Sequence, residues 1–271
     1  MKKAWLENLQ VEGLSSGSFD KIQATILQNR EGLAQILHDG LVMADIEFRR
    51  HGETPAAFSA ITEGRSRWMD EANEAQLKLA AEGGHAVQCQ DKCSYCCYQH
   101  VMLSCTEAFQ IVRWLQAQGR EVNTRANADL VRTLPHLERY QRGIACPLLK
   151  NQRCTVYPVR PMPCRSYFSS TRHLCKLGWE RRWHDDTEGT SILSNPQLAN
   201  HSMLLGTDAA FAMRGYQMVT LELADAIDQA SQPGAWEAWF TEKKRVFIVP
   251  DDDQPYEEVL QLSLRELLRD G

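Results

Sequence analysis

Four cysteines within nine residues constrain this chain more than any other feature of its sequence. They lie in the segment Cys89–Cys97, which reads Cys-Gln-Asp-Lys-Cys-Ser-Tyr-Cys-Cys. Packing does not require thiols at this density, whereas thiolate clusters with such spacing are typical of zinc and iron–sulfur sites. We therefore interpret the segment as part of a metal site around which the rest of the chain is organised.

Five further cysteines follow, and all nine lie between positions 89 and 175: Cys105, Cys146, Cys154, Cys164 and Cys175. An odd number of cysteines does not fit a fully paired disulfide framework, and such frameworks are typical of short secreted domains. The first ten residues contain no apolar stretch behind their lysines, and no apolar run is long enough to span a bilayer. We therefore expect a cytoplasmic protein without a membrane partner.

Composition and charge narrow the class of protein further. Hydrophobic residues make up 43% of the 271 residues, which is enough to bury a core, and the formal net charge is −5. Nucleic-acid-binding proteins normally carry an excess of basic residues. We therefore expect no nucleic-acid partner, and instead a protein partner bound by the helical regions that flank the cysteines.

Apolar residues recur at helical spacing before and just after the first cysteines. They predict a long helix from Ser18 to about Phe48 and a second helix that ends at Gly83. A third helix is expected to begin with the capping box Ser104–Glu107. The first cysteine segment is thus reached from a helical hairpin and followed by another helix.

The second half of the chain has the same helical character. A helix is expected near Asn123 with a kink at Pro135, and Cys146–Tyr157 predicts two short strands around a polar turn. Further predicted elements are helices from Asn195, over 221–227, over 236–240 and over 255–268, and a strand over 245–249. The predicted fold class is mainly α, with helical flanks around an irregular cysteine-rich centre and few short strands.

This organisation divides the chain into three regions. Residues 1–84 form an N-terminal helical region, residues 85–178 the cysteine-cluster domain, and residues 179–271 a C-terminal helical region. One compact domain built from all three regions is the alternative that the chain length allows.

The cysteines and their neighbours form an ordered set of motifs. Cys-x3-Cys-x2-Cys-Cys is followed by Cys146-Pro-Leu-Leu, by Cys154-Thr-Val-Tyr-Pro-Val-Arg-Pro-Met-Pro-Cys164-Arg and by a last cysteine. In this order they resemble the YkgJ-type cysteine-cluster family, a family of zinc- or iron-chelating domains. The resemblance covers Cys89–Cys175 and implies metal chelation, not a particular reaction.

The resemblance implies eight metal ligands: Cys89, Cys93, Cys96, Cys97, Cys146, Cys154, Cys164 and Cys175. Cys105 falls outside the pattern and is interpreted as a buried free thiol, while the surplus of thiols makes His100 and His173 unnecessary as ligands. One zinc ion or one [4Fe–4S] cluster needs four thiolates, so either two metals bind or half of the cysteines are ligands. We expect the ligands of one metal to come from both halves of the motif, because such a metal would close the fold.

Spacing alone does not separate zinc from iron–sulfur. Four arginines lie among the later cysteines: Arg153, Arg160, Arg165 and Arg172. Guanidinium groups near a thiolate centre would compensate its negative charge, which favours an iron–sulfur cluster, [4Fe–4S] in particular, over Zn2+. The alternative is that these arginines form a solvated face.

Three functional classes are compatible with these features. We favour a cytoplasmic metal-binding protein that holds an iron–sulfur cluster or zinc in a structural or redox role. The resemblance also extends to a flagellin lysine N-methylase associated with an iron–sulfur cluster, which implies a cluster-dependent, S-adenosylmethionine-dependent protein N-methylase as the alternative. The third class is metal storage or delivery, which needs a labile site. The sequence contains no phosphate-binding loop, Ser–His–Asp order or His-Glu-x-x-His motif, so catalytic residues stay unknown.

Overall fold

The computed structural model describes residues 30–121, 123–134, 141–182 and 192–249 together with Tyr256. Within these ranges the helices are α1 (Arg30–His51), α2 (Pro55–Glu82), α3 (Cys105–Ala117), α4 (Arg125–Thr133), α5 (Met162–Arg165), α6 (Arg172–Glu180), α7 (Ser194–Ala212), α8 (Leu223–Ala230) and α9 (Ala235–Phe240). The strands are β1 (Met102–Ser104), β2 (Leu149–Lys150), β3 (Arg153–Cys154) and β4 (Thr220–Glu222). The predicted mainly α fold class is confirmed. Across the described part of the chain, every helix is too short or too polar to cross a membrane.

Helices α1 and α7 pack against each other at unusually close range, and both contact α2. A Cβ atom at Gly206 of α7 would lie 2.0 Å from the carbonyl oxygen of Leu37, and one at Gly40 would lie 2.8 Å from the carbonyl oxygen of Met203. Both distances are shorter than any side chain can accept, so glycine is required where the two helix backbones meet.

Aromatic rings fill the core between α2, α3 and α9. Phe58 lies 4.9 Å from Trp236, and Phe109 lies 4.8 Å from Trp239, measured between ring centroids. The ring of Phe240 stacks on that of Trp236 at 4.5 Å with an interplanar angle of 10°. Large rings bury much apolar area each, so these contacts supply a large part of the hydrophobic stabilisation.

A buried ionic cluster joins α2, α3 and α7 below this core. Arg65 donates to the Asp208 carboxylate at 3.2 Å, and the Thr106 hydroxyl donates to the same carboxylate oxygen at 2.7 Å. The Tyr256 hydroxyl donates to the other oxygen at 3.2 Å. Because buried charges are tolerated only when they are paired and hydrogen-bonded, these contacts fix the relative positions of the three helices.

A two-stranded ladder ties the cysteine region to the C-terminal helices. β1 and β4 pair antiparallel with Leu103 opposite Leu221. β4 occupies the start of the segment that was predicted as a helix over 221–227, so α8 begins only at Leu223. The Glu222 carboxylate caps this helix by accepting from the backbone N–H of Ala224 at 2.6 Å.

The predicted strand over 245–249 is wrong, because this segment pairs with none of the described strands. Its backbone bonds to the side chain of Gln217 instead. The Gln217 amide oxygen accepts from the N–H groups of Val246 at 2.8 Å and Phe247 at 3.0 Å, and its amide nitrogen donates to the Phe247 carbonyl at 2.8 Å. A buried side-chain amide thus takes the place of a neighbouring strand.

The predicted kink at Pro135 is also wrong for the described part of that helix. α4 ends at Thr133, and Leu134 has an extended backbone with φ −105° and ψ 134°. A residue that precedes proline is disfavoured in the helical region of φ/ψ space, so the helix stops before the proline. Residues 135–140 lie outside the described residues.

The other predicted helix boundaries agree more closely with the structure. The second helix ends before the predicted glycines, and the capping box is confirmed, since the backbone N–H of Ser104 donates to the Glu107 carboxylate at 3.1 Å. Helix α7 starts one residue before the predicted Asn195. The predicted start at Ser18 lies outside the described residues, as does the helix over 255–268 apart from Tyr256.

Candidate metal centre

The first cysteine segment ends in a 3₁₀-helix, Tyr95–Tyr98, which carries the adjacent Cys96 and Cys97. Lys92 adopts a left-handed backbone conformation with φ 62°, which turns the chain just before Cys93. The Cys97 thiol donates to the sulfur of Cys96, and this bond lowers the pKa of Cys96 and raises the pKa of Cys97. The two neighbouring cysteines therefore differ in their readiness to ionise.

The second cysteine segment is a hairpin. β2 and β3 pair antiparallel with Leu149 opposite Cys154. The two turn residues, Asn151 and Gln152, both have positive φ angles of 52° and 61°, as a two-residue type I′ turn requires. The two short strands predicted around a polar turn are therefore confirmed.

Backbone hydrogen bonds connect the first cysteine segment to the later ones. The N–H of Cys146, just before the hairpin, donates to the carbonyl of Cys97 at 2.7 Å. The N–H of Gln88 donates to the carbonyl of Ser169 at 2.9 Å. The fold itself thus brings both halves of the cysteine motif together.

Ser169 contacts cysteines from both ends of the motif. Its backbone N–H lies 3.5 Å from the Cys89 sulfur. Burial raises the pKa of Cys175, and a hydrogen bond from the Ser169 side chain opposes that rise. The Ser169 oxygen accepts from the backbone N–H of Thr171 at 3.0 Å and lies 3.3 Å from the Thr171 hydroxyl oxygen, where either hydroxyl can donate. No sequence motif marks Ser169, so its contacts with these cysteines were not predicted.

The thiols whose charges act on Cys89 define a first group. Burial raises the pKa of Cys89, and the charges of three other thiols add to this rise: Cys93, Cys96 and Cys175. The pKa of Cys175 is raised by burial and then by the same Cys93 and Cys96. These four residues, from the first segment and from α6, form the first thiol group.

The remaining four predicted ligands form a second group. Burial raises the pKa of Cys164 well above its usual value, and three thiols add to the rise: Cys146, Cys96 and Cys154. The hydrogen bond to Cys96 and then burial raise the pKa of Cys97, with further contributions from Cys146 and Cys164. We name Cys97, Cys146, Cys154 and Cys164 the second thiol group, and Cys96 acts on both groups, because its charge also raises the pKa values of Cys154 and Cys164.

All nine cysteines are free thiols. Cys89 and Cys164 are exposed residues, and desolvation by the surrounding protein nevertheless raises the pKa values of both thiols. Within the described ranges, no set of three or more Cys, His, Asp or Glu side chains already has an arrangement that could hold a metal ion. Metal binding would therefore have to displace thiol protons and draw the sulfurs closer together.

Arg160 is the arginine whose charge acts on the thiols. Burial raises the pKa of Cys154, and the guanidinium of Arg160 opposes that rise. The same guanidinium adds to the Cys97 hydrogen bond in lowering the pKa of Cys96. Of the four arginines, Arg160 therefore fits the expected role of compensating the negative charge of a thiolate centre.

The other three arginines interact with other groups. Arg153 forms an exposed ion pair with Asp91, with an Nε–Oδ1 distance of 3.0 Å. The buried Arg165 contacts both carboxylate oxygens of Asp70 at 2.6 Å. Arg172 lies over an aromatic ring of the 3₁₀-helix, 5.9 Å from its centroid. Arg153 therefore forms an ion pair on the surface, and Arg165 makes a contact that stabilises the fold.

Two buried N–H donors on α6 have no hydrogen-bond partner among the described residues. They are the Nε of Arg172 and the Nε1 of Trp179, on the same helix as Cys175. The Trp179 ring packs against Tyr95 at 5.8 Å and Tyr98 at 5.6 Å, on the turn that carries two cysteines. Buried N–H donors normally find a hydrogen-bond acceptor. The sulfur atoms of a metal–thiolate centre carry negative charge and accept such bonds, so these two donors are compatible with a metal centre beside α6.

Cys105 stands apart from both thiol groups. It is buried, as predicted, and its thiol donates to the carbonyl of Gln217 at 3.2 Å.

The two histidines considered as spare ligands lie in different surroundings. The Nε2 atom of His100 is 3.0 Å from the sulfur of Met102, and His173 is exposed.

Comparison with known families bears directly on this region. Residues 88–187 match the CxxCxxCC family, described as a "putative zinc- or iron-chelating domain". This segment is similar to a CxxCxxCC domain. The predicted family resemblance is thereby confirmed, for 100 of the 271 residues. The matched segment includes both thiol groups and excludes α2 and α8, which contact its helix α3. No curated protein matches the chain, and no solved structure does.

Proposed function

We propose that this chain is a cytoplasmic protein that binds a metal centre through cysteine thiolates, in a structural or redox role. The proposal is carried by eight free thiols whose segments, up to 86 positions apart (89 to 175), are joined by backbone hydrogen bonds from Cys146 to Cys97 and from Gln88 to Ser169. Zinc or iron chelation is also the property that the family description gives for residues 88–187.

The first thiol group is the one that we propose for a [4Fe–4S] cluster: Cys89, Cys93, Cys96 and Cys175. Three cysteines close together in sequence and a fourth from a distant segment form a common ligand pattern for such clusters. The surroundings support this choice, because Ser169 offers donors to two of the sulfurs, and the unpartnered N–H groups of Arg172 and Trp179 lie on the helix that carries the fourth. Such donors stabilise sulfur-rich anionic centres.

The second thiol group is proposed to bind a separate metal: Cys97, Cys146, Cys154 and Cys164. Four thiolates complete the tetrahedral coordination of a structural zinc ion. Support comes from the 2.7 Å backbone bond between Cys146 and Cys97 and from the hairpin that carries Cys154. Two groups of four thiols would account for all eight predicted ligands without a surplus.

Purification without oxygen, followed by analysis of iron, zinc and acid-labile sulfide and by an ultraviolet–visible spectrum, tests the proposal. We expect iron and sulfide in equal amounts, about four of each per chain, with broad thiolate-to-iron absorption, and about one zinc ion. Zinc without iron would retain the metal-binding function and overturn the cluster assignment. A protein that holds neither metal and takes up neither iron nor zinc on reconstitution would overturn the proposed function.

A further inference from the structure

The short helix α5 carries Cys164 and consists of only four residues, Met162–Arg165. A single helical turn is not stable by itself, because fixing its backbone costs more free energy than its few hydrogen bonds return. The position of Cys164 must therefore be determined by the contacts that hold this turn against the rest of the protein. The Arg165 guanidinium donates to the Pro158 carbonyl at 2.9 Å, and three polar contacts from α2 and α3 hold the turn as well.

The first contact comes from the N-terminus of α3. The Glu107 carboxylate accepts from the backbone N–H of Met162 at 2.6 Å with one oxygen, while its other oxygen accepts from the N–H of Ser104. Glu107 is buried, so this charge-assisted bond is shielded from water. It fixes the start of α5, two residues before Cys164.

The other two contacts come from α2, one turn apart on the same helix. Asp70 accepts from the guanidinium of Arg165 with both oxygens, each at 2.6 Å. The amide nitrogen of Asn73 donates to the carbonyl of Arg165 at 3.2 Å, and its oxygen accepts from Asn200 of α7 at 3.0 Å. Arg165 directly follows Cys164, and its side chain is only 2% exposed.

Both α2 residues lie outside the matched segment 88–187. We propose that Asp70 and Asn73 are positioning residues of the metal centre, which hold the Cys164 turn in place from the N-terminal helical region. This inference rests on the proposed metal binding and extends it, because it makes α2 part of the site. The matched segment separated from α2 would then lack both of these contacts, which orient one of its thiols.

The test uses the full chain, stripped of metal with a chelator under reducing conditions and titrated with Co2+. Thiolate-to-cobalt absorption reports both affinity and coordination. For Asp70→Ala and Asn73→Ala we expect Co2+ to bind about 10- to 100-fold more weakly, the range typical for residues that orient metal ligands, with altered absorption bands. Asp70→Glu, which retains a carboxylate, should recover part of the affinity.

Two controls separate positioning from loss of stability. Glu74→Ala removes a negative charge from the same helix one turn beyond Asp70. Ile227→Val shortens a buried side chain of α8, a helix that carries none of the proposed ligands or positioning residues. Both should bind Co2+ as the unmodified chain does. A second readout is the alkylation of Cys164 in the stripped protein, mapped by mass spectrometry, which should change in the Asp70 and Asn73 variants alone.

Unchanged affinity and unchanged absorption bands in both Asp70→Ala and Asn73→Ala would overturn the inference while the proposed function stands. Equal weakening in Ile227→Val would also overturn it, because the effect would then follow from stability alone. Failure of the unmodified chain to bind Co2+ would overturn the inference, whereas the proposed function would stand as long as the purified chain holds iron and sulfide.

Discussion

The backbone N–H of Ser169 lies 3.5 Å from the sulfur of Cys89. N–H groups at this range stabilise a thiolate more than a thiol, since they donate to the charged form. The same residue directs its side-chain hydroxyl to Cys175, so one buried serine serves two sulfurs of the first thiol group. Its backbone contact does not depend on the side chain, whereas its hydroxyl contact does.

Replacement of Ser169 by alanine should therefore weaken metal binding without abolishing it. The variant loses the hydroxyl bond to Cys175 and retains the backbone bond to Cys89. We expect the affinity of the first group to fall about tenfold, the lower end of the effect of residues around metal ligands. Competition with a chelator measures this change, and Ser231→Ala, at an exposed helix end, is the matched control. An unchanged affinity would show that the hydroxyl does not support the centre.

Serine variants of single cysteines should separate the two thiol groups. Cys93→Ser is expected to lose the iron and sulfide of the first group and to keep the metal of the second, whereas Cys154→Ser should do the reverse. Cys105→Ser is the control, because a serine hydroxyl can also donate to the Gln217 carbonyl, and it should keep both metals. Elemental analysis after anaerobic purification measures each outcome. Loss of all metal in both Cys93→Ser and Cys154→Ser would indicate one joint centre.

The stripped protein should become less stable as the solution becomes alkaline. Burial raises the pKa values of Cys89, Cys164 and Cys175 above the ordinary value of 9.0. Between the ordinary and the raised pKa the unfolded chain releases these protons and the folded chain retains them, so the free energy of unfolding falls as pH rises above about 9. Below that pH the contribution is fully present.

Metal binding should remove this alkaline loss, because ligated sulfurs have already given up their protons. Urea unfolding of the stripped and the metal-loaded protein at pH 7 to 10, as a rough range around the thiol pKa, tests the difference. Tyrosine and lysine titration affects both forms and cancels in the comparison. Parallel pH profiles for the two forms would contradict the expectation.

The close packing of α1 on α7 gives a prediction for stability. Gly206→Ala places a Cβ atom 2.0 Å from the Leu37 carbonyl oxygen, so the helices must separate, and we expect a loss of about 3 kcal/mol or more in the free energy of unfolding. Gly32→Ala is the matched control, since a Cβ atom there meets no atom within 4 Å; it should stabilise α1 by about 0.5–1 kcal/mol. Chemical denaturation measures both, and a small loss in Gly206→Ala would contradict the packing described here.

The sequence was sufficient to predict the features that depend on near neighbours. Cysteine spacing indicated a chelating family, helical periodicity indicated a mainly α chain, and the capping box at Ser104 was recognised from two residues. The hairpin at Asn151 followed from its turn chemistry. In each case the physical cause acts within a few residues, and the pattern that reveals it is therefore present in a short stretch of sequence.

Features that depend on distant contacts could not be predicted in this way. Ser169 lies 80 residues beyond Cys89, and no local pattern connects them. Gln217 provides the hydrogen bonds that residues 245–249 were expected to make with a strand. Among the four arginines near the cysteines, only the folded chain distinguishes Arg160, whose charge acts on thiols, from Arg165, which pairs with Asp70.

The two thiol groups differ in how they are attached to the hydrophobic core. Cys146 and Cys154 pack against that core, whereas Cys89 and Cys93 lie outside helices and strands, on either side of the turn at Asp91. Release of metal would then leave the hairpin cysteines in place and loosen the turn, while the helical body persists. Metal occupancy would then change the shape and mobility of one surface of a folded protein. A partner that binds this surface would distinguish the metal-loaded chain from the metal-free chain.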